Sequence, residues 1–308
     1  MRKTKGFFLF VTGLLLLTLL LGSAMGEAAI TVTDMKGREI RLDAPATRVV
    51  ALTPSDCEIL YAIGAGETLV GRGEYCDYPA GVLDVPSVQS GAETNVEQIV
   101  ALEPQVVIMS TMAQSVVQTQ ALEAAGIRVV VNEAVDIAGV YEAIEVIGAV
   151  VGHDDEAQML VANMQASFAD ITAKVTGDGS QKVYFEVSPL QWGLWTAGSG
   201  TFMDELATML GLTNTFADVQ NWGEISQEQV LARDPDYIVT IAMYFGEGPT
   251  PVEEIQSREG WQALQAVQNG MILNLDSNEI SRPGPRLVDA ARTLYQFVYA
   301  PETLAPAA

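Results

Sequence analysis

Asn95–Ile108 reads NVEQIVALEPQVVI, and Ser226–Val239, 131 positions on, reads SQEQVLARDPDYIV. Glu97/Glu228, Gln98/Gln229, Ala101/Ala232 and Pro104/Pro235 are identical, and Ile99/Val230, Glu103/Asp234 and Ile108/Val239 are conservative pairs. So long a period is not that of a solenoid; it is the trace of one lobe present twice. A fainter echo pairs Glu58-Ile59-Leu60 with Glu205-Leu206-Ala207, followed by Gly64 and Gly211. Asn95 and Ser226 are good N-caps with a glutamine three positions on, which predicts a capping box in each copy. Glu97 and Glu228 then fall in a first helical turn, where the helix dipole favours an acid. Because Ile99, Val100 and Leu102, and Val230 and Leu231, define the opposite face, both glutamates are expected at the surface. They are either helix-end electrostatics alone or a matched pair of charges, one per lobe, presented to a basic partner.

Outward from these copies, short β-rich runs alternate with helical segments. Strands are expected at Arg48–Leu52, Thr68–Gly71, Val106–Met109 and Ile127–Val131, with helices at Glu58–Ile63, Asn95–Leu102 and Ser115–Ala125. From Val140 to Val175 the pattern is wholly helical, broken at Gly152-His153-Asp154-Asp155, where Asp154 or Asp155 is expected to cap a second helix. After Gly177-Asp178-Gly179-Ser180 the alternation resumes: strands Lys182–Val187, Tyr237–Ile241 and Met271–Leu275, and helices Phe202–Leu210, Gln227–Ala232, Gly260–Val267 and Pro285–Val298. Such alternation argues for parallel α/β layers. The simplest reading is two α/β lobes joined by one long helix, with boundaries at 27–153, 154–176 and 177–308.

Arg2, Lys3 and Lys5 precede a 15-residue apolar run, Phe7–Leu21, and small residues at Gly22–Gly26. This is the layout of a cleaved export signal over residues 1–26; a retained anchor is the alternative, but the run is shorter than the roughly 20 residues a spanning helix needs. No cysteine lies near Ala24 or Gly26, so lipid attachment there is not expected. Without the three basic residues of the signal, 13 Lys+Arg face 39 Asp+Glu, a net charge of −26. That excludes a nucleic acid as partner. With one His and two Cys, a metal centre of four cysteines, of two cysteines and two histidines, or of three histidines cannot be built, and no resident metal or cofactor is expected. In an oxidising compartment Cys57 and Cys76 allow a disulfide; two buried or cleft-lining thiols are the alternative.

TPSDCEILYAIGAGETLVG, EYCDYP, NVEQIVALEPQVVI, WTAGSGTFMDEL, NWGEISQEQVLARDPDYIV, ALQAVQNG and SRPGPR together make the mature chain resemble the periplasmic substrate-binding proteins of ABC importers for vitamin B12 and iron complexes. The resemblance implies an α/β fold of two Rossmann-like lobes, tied by a single long helix, with a ligand cleft between them. It also implies a monomer that delivers a metal complex, as cargo, to a membrane permease and its ATPase. Glu97 and Glu228 occupy the positions that dock on permease arginines in that family.

A cleft for a large, partly apolar ligand needs aromatic surface and a few placed polar groups. Tyr75 and Tyr78, Trp192 and Trp195, Trp222, and Tyr244-Phe245 all fall in expected loops, although each is as readily a packing residue. By the resemblance, Tyr75, Trp222 and Arg282 match pocket positions of the B12-binding branch. Thr53-Pro54-Ser55 and Gln89-Ser90 lie on the expected cleft side, outside strand ends. Of Arg282 and Arg286, one is expected to hold a ligand amide or carboxylate and the other to pair with an acid.

Few bases and many acids favour a nearly neutral, amide-rimmed corrinoid over a polyanionic ferric catecholate; haem needs an axial ligand, for which His153 is misplaced but Tyr75 or Tyr244 would serve. Enzyme readings are weaker. Gly198-Ser199-Gly200 lacks the remaining residues of a dinucleotide or phosphate loop, and Gly64-Ala65-Gly66 is a turn. Asp56/Glu58 and Asp154/Asp155/Glu156 read as helix-start acids rather than acid–base pairs, and His153 as a surface residue of a capping loop. A secreted hydrolase and a binding protein feeding a sensor are the remaining alternatives.

Overall fold

The computed structural model describes residues 29–110 and 114–303; the expected export signal lies outside the described residues. The described chain opens on an antiparallel hairpin absent from the sequence reading, β1 (Ile30–Thr33) and β2 (Glu39–Leu42). Its turn is held by the Asp34 carboxylate, which accepts from the backbone N–H of Lys36 and Arg38 at 3.0 Å each, and by Gly37 at φ +73°.

The first lobe runs β3 (Val49–Ala51), α1 (Pro54–Ala62), β4 (Leu69–Gly73), β5 (Ser87–Val88), α2 (Val96–Ala101), β6 (Val106–Met109), α3 (Val116–Ala124) and β7 (Arg128–Val131). Its five strands form a parallel sheet in the order β5-β4-β3-β6-β7. Val49, Ala51, Val106, Ile108 and Val130 enter one core, and Val50, Val107, Met109, Val129 and Val131 enter another. Burial on both faces is why these strands read as unbroken apolar runs.

Two helices follow, α4 (Ile137–Val151) and α5 (Asp154–Thr172). The Asp136 carboxylate caps α4 by accepting from Gly139 N–H at 2.7 Å, and Gly152 ends it in the left-handed region. α5 stops at Thr172, short of the expected 176, and begins directly after His153; Asp154 and Asp155 are not its caps but stand in its first turn with Glu156. His153 stands at the N-cap position of α5, partly exposed as a capping-loop residue is expected to be, and its ring Nδ1 lies 3.0 Å from the Ile63 carbonyl, joining the end of α1 to the start of α5. At 1.5 Å per residue α5 is about 28 Å long.

The second lobe runs β8 (Lys182–Ser188), β9 (Trp195–Ala197), α6 (Phe202–Met209), β10 (Thr213–Asn214), β11 (Trp222–Glu224), α7 (Gln227–Arg233), β12 (Tyr237–Thr240), α8 (Pro251–Ser257), α9 (Gln265–Gln268), β13 (Ile272–Asn274), α10 (Ser277–Ile280) and α11 (Leu287–Tyr299). Its sheet order is β11-β9-β8-β12-β13, with β10 also on β8. β8, β10, β12 and β13 are parallel, and β9 runs antiparallel to both its neighbours. The helix expected over Gly260–Val267 is broken, because Leu264 is extended (ψ 138°) between a 3-10 turn at Trp261–Ala263 and α9.

The sequence repeat is a structural one. α2–β6 and α7–β12 are equivalent helix–strand units, and Glu103 (φ +49°) and Asp234 (φ +47°) both turn left-handed at the same repeat position. In each lobe a base at the first strand caps the end of that helix, where the dipole is negative: Arg48 donates to the Leu102 and Glu103 carbonyls, and Lys182 to the Arg233 carbonyl. The sheets are separate, yet one core runs through both lobes, from Val49 and Ile108 through Ile144, Met164 and Phe168 to Val183, Phe185 and Leu294. α5 packs on α4 and on α11, so it touches both lobes.

Candidate ligand cleft and docking surface

Thr53, Ser110 and Asn132 follow β3, β6 and β7, so they stand side by side at the carboxyl edge of the first sheet, where α/β sheets bind ligands. With Pro54, Ser55, Glu133 and Ala134 they line a cavity of about 190 Å³, closed from the second lobe by Ser281, Arg282 and Pro283. A larger cavity of about 590 Å³ lies at the carboxyl ends of β8 and β12 in the second lobe. Trp192, Met243, Tyr244 and Phe245 give it an apolar wall, while Glu186, Glu247 and Glu254 supply its carboxylates. Trp192 is 76% exposed and Phe245 84%, which leaves both rings open to a ligand.

The sequence candidates divide. Thr53, Pro54, Ser55 and Arg282 meet in the interlobe cavity, and Trp192 and Tyr244 in the second-lobe cavity. Tyr75, 69% exposed, lies beside the first; its carbonyl is 3.5 Å from Arg282 Nη2. Four other candidates line neither cavity. Trp222, expected in a loop, is on β11 and packs edge-on against Phe202 at 5.7 Å. Trp195 is a residue of β9. Ser90 is buried, with its Oγ close to Gly73, where an added Cβ would meet the Leu52 carbonyl at 2.4 Å and Ser90 Oγ at 2.9 Å. Gln89 is exposed, and its backbone N–H donates to Gln98 Oε1 at 3.0 Å. That contact also revises the first capping box. Asn95 accepts from Gln98 N–H, but the Gln98 side chain turns to Gln89 instead of back to Asn95; the reciprocal box forms at Ser226 and Gln229 alone of the two.

The arginines of the SRPGPR loop both bind acids. Glu58, expected as a helix-start acid, is buried on α1 and accepts from Arg282 Nη1 at 3.0 Å and from Arg286 at 2.7 and 2.9 Å. Arg282 also holds Asp77 at 2.6 Å, and Arg286 lies over the Tyr78 ring at 4.2 Å. Glu58 therefore ties the lobes together. Asp56, the other expected helix-start acid, is fully buried and accepts from the Thr53 hydroxyl and the Asn132 amide. Burial pushes its carboxyl up to about 6, against the pull of those two donors. In the second lobe Glu186, also buried, forms a two-point pair with Arg258 (2.6 and 2.9 Å), which Glu254 joins from α8. Neither Asn132 nor Glu186 carries a local sequence signal; only the strand ends identify their place.

Cys57 and Cys76 are buried free thiols, so the disulfide the sequence allows is absent. Both sulfurs approach the Ala51 carbonyl, at 3.9 and 4.0 Å, and the Cys57 thiol is pushed up by its contact with Cys76 and by burial. Both pack beneath β3.

Glu97 and Glu228 are both exposed in the first turns of equivalent helices. The Ser226 hydroxyl, hydrogen-bonded to Glu228, holds that carboxyl below its usual range.

Comparison with known proteins agrees with this architecture. The chain is 31% identical to YvrC of Bacillus subtilis, an ABC transporter substrate-binding lipoprotein, over 89% of this chain and 86% of that one. It is 30% identical to the vitamin B12-binding protein of Salmonella choleraesuis, over 81% of this chain and 89% of that one. The structure of an ABC-type Fe3+-hydroxamate transport system from Saccharomonospora viridis superposes with a TM-score of 0.73 at 25% identity, covering 88% of this chain and 99% of that one. Residues 49–279 match the family model described as periplasmic binding protein, and with the two-lobed fold and the repeated helix–strand unit this places the chain in that family, among ABC-type solute-binding proteins similar to those for vitamin B12 and Fe3+-hydroxamates.

Proposed function

We propose that this protein captures a corrinoid outside the cytoplasm and delivers it to an ABC permease. The observation that carries the ligand class is charge. Among the described residues lining the two cavities, the carboxylates Glu133, Glu186, Glu247 and Glu254 outnumber the one cation, Arg282; Glu133 is paired with Lys36, Glu186 and Glu254 with the buried Arg258, and Arg282 with Glu58 and Asp77, so the lining cation is already paired and Glu247 adds a charge without an ion-pair partner among the described residues. A cargo with carboxylates or catecholate oxygens finds no unpaired cation there, and placing it beside Glu247 adds like-charge repulsion. A corrinoid is nearly neutral and rimmed with amides, and its flat ring suits the Trp192, Tyr244 and Phe245 wall. The name of the Salmonella relative supports the same cargo. A neutral or cationic ferric hydroxamate satisfies the same charge argument and is the second reading, supported by the Saccharomonospora relative.

Titration calorimetry with cyanocobalamin, cobinamide, ferrioxamine, a ferric catecholate and haem decides between them. The corrinoids are expected to bind at least about tenfold more tightly than the rest, a difference of about 1.4 kcal/mol; tighter binding of haem or the catecholate overturns the charge argument. Delivery is tested separately. Glu97→Ala with Glu228→Ala removes one exposed acid per lobe and touches neither cavity. Uptake by cells carrying the transporter is expected to fall severalfold with ligand affinity unchanged; normal uptake refutes permease docking through these residues.

A further inference from the structure

We propose that Asp56 sets the hydrogen-bond polarity of the interlobe cavity, so that the first lobe presents acceptors to the cargo and selects amide or ammonium donors over carboxylates. The inference rests on the corrinoid reading for its ligand, but its physical basis lies in the protein's own hydrogen bonds.

An ionised carboxylate only accepts. Asp56 is fully buried, and its two oxygens each take one donor: Oδ2 from the Thr53 hydroxyl, Oδ1 from the Asn132 amide. Both assignments are thereby forced. Thr53 has one hydroxyl hydrogen, and it points inward to Asp56; toward the cavity Thr53 Oγ1 can only accept. Ser55 Oγ lies 3.4 Å from that oxygen and must be the donor of the pair, so it too offers lone pairs outward. Asn132 turns its NH2 group to Asp56, which orients its Oδ1 as the free end. Glu133 follows directly; its Oε2 is paired with Lys36 and its Oε1 is buried without a hydrogen-bond partner. On the opposite wall Ser281 donates to the Ser277 carbonyl, so its oxygen is likewise an acceptor. Arg282 is a donor in this wall; its Nη1 is held by Glu58 and Asp77 and its Nη2 lies 3.5 Å from the Tyr75 carbonyl. One buried group thus aligns the dipoles of a chain of hydroxyls and an amide, and a ligand carboxylate would meet lone pairs where it needs hydrogens.

The experiment compares ligands that differ only in amide against carboxylate. Cyanocobalamin is paired with its monocarboxylate hydrolysis products, and haem diamide with haem. For the wild-type protein the amide member of any pair that binds is expected to win by about 100-fold. Asp56→Asn can donate to Asn132 and flip it, so this variant should lower that ratio to within about tenfold. Thr53→Val removes one cavity acceptor and, with it, the donor to Asp56 Oδ2, so it should weaken the amide ligand and narrow the amide-to-carboxylate ratio. Equal binding within pairs, or a ratio that Asp56→Asn does not move, overturns the proposal. If haem compounds bind and corrinoids do not, the corrinoid reading fails, while a preference for haem diamide over haem still upholds the polarity. A ligand-free measurement settles the matter where nothing binds: the side-chain amide hydrogens of Asn132 should exchange slowly in wild-type protein and fast in Thr53→Val/Asp56→Ala. Fast exchange in the wild type overturns the assignment.

Discussion

Burial of carboxylates decides much of this molecule at the residue scale. Glu58 and Glu186 have arginine partners; Asp56 has two neutral donors, and burial dominates its titration. Its pKa is about 6 in the folded protein against an ordinary 3.8. Between those two values the folded protein holds more protons than the unfolded chain at this group, so its contribution to stability falls as pH rises from about 4 to about 6 and is flat above. Two units correspond to about 3 kcal/mol. Urea unfolding of the wild type and of Asp56→Asn at several pH values should show the variant gaining on the wild type by about that amount across this window. A difference independent of pH would show that Asp56 does not titrate as its burial dictates.

Among the elements, the two copies of the helix–strand unit are alike in strand placement and in their left-handed turn residues, and unlike at the cap. Ser226 and Gln229 satisfy each other (2.8 and 3.3 Å), whereas Gln98 is drawn to the loop at Gln89. Ser226→Ala should therefore cost about 1 kcal/mol, lowering the Tm by about 2–4 °C, with ligand affinity unchanged because Ser226 lines neither cavity; a loss of affinity would show that α7 positions the site. The repeat and its capping residues were legible because they are local: i to i+3 spacing, Pro104 and Pro235, and apolar runs. The exceptions are equally physical. Asp56 and Glu58 look like ordinary first-turn acids, since nothing near them in the chain announces Asn132 or Arg286, which arrive from 76 and 228 positions away. Trp222 reads as a loop aromatic because β11 is only three residues long and exists through its antiparallel pairing with β9. The Gly260–Val267 segment has helical spacing, but Leu264 turns extended to stay in the second-lobe core.

Taken whole, the molecule opposes large closure of its lobes. Hinged binding proteins close when loop residues absorb the rotation. Here the inner faces of both sheets share one core through α4, α5 and α11, so rotation would pull apolar side chains from their contacts. The buried Glu58 adds a second tie to Arg282 and Arg286, and separating those charges would leave a carboxylate unpaired in the interior. The N-terminus of α4 is a third, since Glu205 from α6 accepts from Ile137 N–H at 2.7 Å. Ligand capture must then occur in a slot of nearly fixed width, with adjustment confined to exposed rim groups such as Trp192 and Phe245. Small-angle scattering of the mature chain should give a radius of gyration of about 19 Å that changes by less than about 0.5 Å on addition of saturating cyanocobalamin. A contraction above about 1 Å would mean that the lobes do rotate, and that the shared core and the Glu58 tie yield to the ligand.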